Sequence, residues 1–152
     1  MYQVGNYVVC KSGGIWKIEE ISNGQCKLAE YGTSATADVP VGDDEIVRKI
    51  ISKEAMLDVI SRVGFIRTLQ APNDRIRKEF YEGAMAEYDE IEWIKVIKTV
   101  YLRQEEKRLF PGEAELAKKA KKYLHSEISI LLDIPFDKVE AYIADSVSSD
   151  SW

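Results

Sequence analysis

The apolar periodicity of this chain changes once, near residue 51, and that change limits the folds open to it more than any other feature. Before it, short alternating runs are broken by glycine-bearing turns, and after Ser52 apolar residues recur at helical spacing. The sequence therefore predicts an α+β chain. A small SH3- or Tudor-like β-barrel spans 1–51, a helical bundle of about five helices spans 52–144, and a flexible tail takes up 145–152. An enzyme more often wraps one sheet with helices around a crevice, whereas a small barrel tied to a bundle suits an adaptor that grips two macromolecules. At 152 residues the chain is long enough for two small domains.

In the first region Tyr7-Val8-Val9-Cys10, 15–18 with Ile21, 26–31, 36–41 and 46–50 read as about five short strands. Pro40 has no N–H to give to a ladder, so the strand over 36–41 belongs at a sheet edge or ends there. An unpaired edge is a docking site for another chain's strand, unless the following Gly42-Asp43-Asp44-Glu45 turn and its charges protect it. Trp16, next to Ile15 and Ile18, reads as part of a packed face rather than a surface anchor.

Ser52 and Asn73 have the chemistry of helix N-caps, and Asp89-x-x-Glu92 resembles a capping box. They open helices whose apolar stripes are Ala55, Met56, Val59, Ile60 and Val63, then Ile76, Phe80 and Ala84, then Ile91, Ile94, Ile97 and Tyr101. Pro111-Gly112 punctuates the chain before a long helix bearing Leu116, Ala120, Tyr123, Leu124, Ile128 and Leu131. A short helix after Pro135 buries Val139, Tyr142 and Ile143.

Net charge is −5, which argues against nonspecific grip on nucleic acid. The charge is uneven, however: residues 95–122 carry +5 and the rest −10. Within that stretch Lys118, Lys119, Lys121 and Lys122 offer phosphate contacts, or simply a solvated helix face. No phosphate loop, dinucleotide fingerprint, nucleophile elbow or zinc-protease motif occurs. Tyr123, His125 and Glu127 are the nearest thing to a catalytic set, but alternate positions on one helix face different ways and do not converge. The expected reading is not an enzyme, with no cofactor and no metal. Cys10 and Cys26 read as free thiols, no apolar run reaches membrane-spanning length and no secretion signal opens the chain, so a cytoplasmic protein is expected.

Several segments together resemble the CarD/CdnL-type bacterial transcription regulators, whose N-terminal module is shared with transcription-repair coupling factor. They are Val4-Gly5-Asn6-Tyr7-Val8-Val9-Cys10, Gly13-Gly14-Ile15 and Val39-Pro40-Val41 in the β region. In the helices they are Ile51-Ser52-Lys53-Glu54-Ala55, Asn73-Asp74-Arg75-Ile76-Arg77, the stretch 96–102, and 120–128. The resemblance implies a monomeric RNA polymerase-interacting protein that docks on the polymerase β subunit by extending a sheet edge, here through Thr36, Ala37, Asp38 and Val39. It implies a helical, DNA-facing domain that stabilises promoter complexes, here through Arg75, Arg77 and Lys78. The chain departs from the family pattern in four ways. Residues 69–74 lack the tryptophan that family members often carry to wedge into the minor groove, Asp38 stands where an arginine often precedes the Val-Pro pair, Asn6 and Cys10 replace Asp and Tyr, and the link between the middle strands, Ser22-Asn23-Gly24-Gln25, is short. These departures leave room for a protein–protein adaptor on the same fold that has lost DNA binding. A small enzyme with an unrecognised pocket is the third alternative.

Overall fold

The computed structural model describes residues 2–147 and divides after Ile51 into two compact units, each taken here by itself. The first is a five-stranded antiparallel sheet: β1 (Tyr7–Cys10), β2 (Ile15–Ser22), β3 (Gln25–Glu30), β4 (Thr36–Pro40) and β5 (Ile46–Lys49), in spatial order β4-β3-β2-β1-β5. β2 and β3 meet at Asn23-Gly24, where both residues have positive φ (52° and 74°). That is the backbone a two-residue type I′ hairpin demands, and Asn-Gly is the pair that supplies it most easily. Val8, Cys10, Ile18, Cys26, Leu28, Val39 and Ile46 form the buried core, with Trp16 half-buried against it. The Trp16 indole N–H donates to the Gly13 carbonyl at 2.8 Å, so this side chain belongs to a packed face. Five strands agree with expectation, but the sheet is open where a barrel was expected. β5 pairs with β1, and β4 and β5 remain as separate edges.

The second unit contains α1 (Lys53–Arg62), α2 (Asp74–Met85), α3 (Glu90–Glu105), α4 (Glu113–Leu132) and α5 (Val139–Ser146), with 3-10 turns at Val63–Phe65 and Phe136–Lys138. Ser52, Asn73 and Asp89 each accept a hydrogen bond from a backbone N–H of the first turn, as their chemistry predicts. At Asp89 the box is half made, because the Glu92 carboxylate pairs with Lys95 at 3.0 Å. α5 continues through Ser146. Residues 148–152, including Trp152, lie outside the described residues.

Three inward positions of the sequence reading turn outward. On α1 Ala55 is exposed, on α2 the buried residues are Tyr81 and Ala84 while Phe80 is 42% exposed, and on α3 Tyr101 is exposed. The reason on α2 is polar: the Tyr81 hydroxyl donates to the buried Glu113 carboxylate at 2.5 Å, and that rotates Phe80 away. α4 is buried on every side from Tyr123 to Ser129, so Tyr123, His125 and Glu127 are all core residues. Tyr123 stacks flat on Trp93, with ring centroids 4.8 Å apart.

Candidate functional site

Alternation along β4 decides which of its atoms face outward. Glu30 N–H donates to the Ala35 carbonyl and Val41 N–H to the Gly24 carbonyl, so every second residue from 35 to 41 is hydrogen-bonded to β3. Ala37 and Val39 thus spend their N–H and C=O groups inside the sheet. Thr36 and Asp38 turn theirs to the free edge, and among the described residues nothing hydrogen-bonds to them. Pro40 occupies the next outward position, where its missing N–H costs the ladder nothing. Side chains follow the same parity: Val39 is buried and Ala37 half-buried, whereas Thr36, Asp38 and Pro40 are exposed.

The opposite edge is less open. β5 is four residues long, its register with β1 shifts at Val9/Cys10, and the Arg48 guanidinium donates to the Lys49 carbonyl at 3.0 Å. A short, irregular edge with its carbonyl already occupied is a poor template for strand addition.

The basic residues anticipated on α2 divide into two kinds. Arg75 and Lys78, one turn apart, are exposed; Arg75 lies 3.8 Å from Glu79, and the Lys78 ammonium is 5.1 Å from the centre of the Phe110 ring. Arg77 is half-buried and donates to the carbonyls of Leu69 (3.1 Å) and Ala71 (3.4 Å). Its fork tethers the segment leading into α2. Lys98 and Thr99 of α3 hold the same segment from the other side. The buried Lys98 ammonium donates to the Val63 and Ile66 carbonyls, both at 2.7 Å, and Thr99 Oγ1 accepts from the Leu69 N–H at 2.8 Å. Burial holds the Lys98 ammonium below its ordinary pKa. This strapped turn carries Phe65, 86% exposed, between the exposed Arg62 and Arg67.

α2, α3 and α4 are joined by one buried charge cluster. Arg103 grips Glu113 in fork geometry (Nε to Oε2 2.6 Å, Nη2 to Oε1 3.2 Å) and also donates to the Arg108 carbonyl at 2.6 Å and to Asp74 at 3.3 Å. Glu113 further accepts from the Tyr81 hydroxyl and from the Phe110 N–H. Burial alone would raise the Glu113 carboxyl, but these donors bring it below its usual range. Burial first, and Glu113 second, push the Tyr81 hydroxyl up. The sequence reading missed Tyr81, Lys98, Arg103 and Glu113, and counted Arg103 and Lys98 within a basic stretch.

That stretch therefore does not form one bare cationic face. Lys98 and Arg103 are buried, Lys95 pairs with Glu92, Lys118 with Glu115 and Lys121 with Glu140. Among the described residues no group of His, Cys, Asp and Glu is arranged to hold a metal ion, and no helix is long and apolar enough to cross a membrane.

Comparison with known families matches residues 66–144, more than half of the chain, to the family described as CarD, C-terminal domain. No curated protein matches the chain. The matched stretch runs from the strapped turn through α2, the Arg103–Glu113 cluster and α4 to α5. The chain belongs to the CarD family of transcription regulators, whose work is with the transcription machinery.

Proposed function

We propose that this protein regulates transcription by docking on the β subunit of RNA polymerase through the edge of β4, with the helical unit set against promoter DNA to stabilise the promoter complex. The sheet unit is then the polymerase-interacting domain and the helical unit the DNA-facing one. The observation that carries this reading is the unclaimed main chain of Thr36 and Asp38 on a regular edge, where a partner strand finds donors and acceptors already aligned. Arg75 and Lys78 supply the phosphate contacts, and Arg77 serves them by fixing the entry to α2.

The edge parity selects the test. Ala37→Pro would remove a donor that β3 uses, so it damages the sheet, whereas Asp38→Pro removes an outward donor at a position where proline is tolerated. In a pull-down of the polymerase β subunit, wild type binds and Asp38→Pro binds at least about tenfold more weakly with an unchanged circular dichroism spectrum. Failure of the wild type to bind refutes polymerase docking, and undiminished binding by Asp38→Pro moves the docking site off this edge.

A second reading, an adaptor on the same fold without DNA contact, is favoured by the internal commitment of Arg77, Lys98 and Arg103. The two readings separate in a salt titration of promoter-fragment binding. Loss of both Arg75 and Lys78 reduces the salt slope by about 2 if they meet phosphates. The adaptor shows no salt-dependent affinity.

A further inference from the structure

We propose that the groove between α2 and α3 is a second docking site, which takes a basic amphipathic helix of a partner protein. The groove has a volume of about 490 Å³ and an apolar floor of Leu69, Phe80, Gly83 and Ala84. Glu79, Glu87 and Glu92 rim it. The one cation in its wall, Lys95, is held by Glu92 at 3.0 Å, and Glu79 has only a long 3.8 Å contact to Arg75 outside the groove. The rim is therefore acidic around an apolar floor, complementary to lysines flanking apolar anchors.

Gly83 keeps the floor of the groove open. It lies in the last turn of α2 without a positive φ, and a Cβ built on it would meet nothing within 4 Å, so neither the backbone nor internal packing requires glycine there. Glu79 stands one helical turn before Gly83, and Glu87 follows in the turn just past the end of α2.

The test is fluorescence polarisation of the full chain with a labelled, amidated 14-residue helical peptide bearing Leu at i, i+3, i+4 and i+7 and Lys elsewhere. The same peptide with Glu in place of Lys is the control. The Lys peptide binds wild type, and its affinity falls at least tenfold in Gly83→Leu and in Glu79→Lys/Glu87→Lys. The fold of each variant is checked by its melting temperature. Gly83→Ala melts about 4 °C higher than wild type, because helix propensity is gained with no clash. Absence of Lys-peptide binding at millimolar concentration, equal affinity in Gly83→Leu, or equal binding of the Glu peptide overturns the proposal. A concentration-dependent dimer in sedimentation velocity, lost in Gly83→Leu, also overturns it by making a second copy of the chain the occupant.

Discussion

The sheet unit and the helical unit bury different things. In the sheet unit the core cluster consists of Val, Ile, Leu and Cys side chains, and the ladder satisfies the backbone. In the helical unit Glu113 is fully buried, and Arg103, Lys98 and His125 are buried as well. An apolar core degrades gradually as methylenes are removed, whereas a buried ion pair is stable only as a complete set. The comparison teaches that the two units should fail differently, one by graded loosening and the other by loss of a single partner.

The sharpest break of that comparison is Glu113→Ala. It leaves the Arg103 guanidinium buried with its fork unfilled and removes the acceptor of Tyr81, at a cost of about 3–5 kcal/mol. Hydrogen exchange should show protection lost across α2, α3 and α4 while β1 to β4 keep theirs. Equal loss in both units would mean that they unfold as one cooperative body.

Next in size is an acid-sensitive step confined to the helical unit. Burial, offset in part by Glu140 and helped slightly by Lys121, brings His125 down to about 4 from 6.5. Above pH 6.5 both states are neutral and the burial costs nothing. Between 6.5 and 4 the unfolded chain binds the extra proton, so stability falls as pH falls. The loss amounts to about 2 kcal/mol at pH 5. Melts of the helical unit at pH 7 and pH 5 measure it, and His125→Phe, which cannot titrate, should give a flatter profile. The chain's single histidine lies in this unit, so the sheet contributes nothing to the step.

The smallest effect belongs to the sheet. Gly24→Ala places a Cβ in the left-handed region at φ 74°, costing about 1–2 kcal/mol. Urea unfolding should show a lower midpoint with the denaturant slope intact. A change in slope instead would indicate that the β2–β3 register had slipped.

What the sequence made legible was local. The caps at Ser52, Asn73 and Asp89 and the break at Pro111 are decided by neighbours within four residues. Pro40 also marked an edge, because one missing N–H has one consequence. Contacts between distant residues were not legible. Phe80 and Tyr81 are equally plausible core residues from spacing, and the choice falls to Tyr81 only because Glu113 waits 32 residues away. Arg77 and Lys98 looked like surface cations because nothing in a linear pattern reveals that their targets are backbone carbonyls at 63, 66, 69 and 71. The open sheet, likewise, depends on β5 pairing with β1 without also pairing with β4, a decision taken by strands far apart in the chain.

The alternation along β4 has a consequence for how such a surface changes over generations. Ala37 and Val39 answer to the fold through both backbone and side chain, while Thr36 and Asp38 answer to the exterior through both. Mutation at the outward pair is thus nearly free of folding cost. Docking by main chain also survives it, since the aligned N–H and C=O groups do not depend on residue type. On the proposed docking, a charge reversal such as Asp38 would alter which partner is favoured without either unfolding the sheet or abolishing the edge along which it is extended, so that specificity drifts while the grip stays.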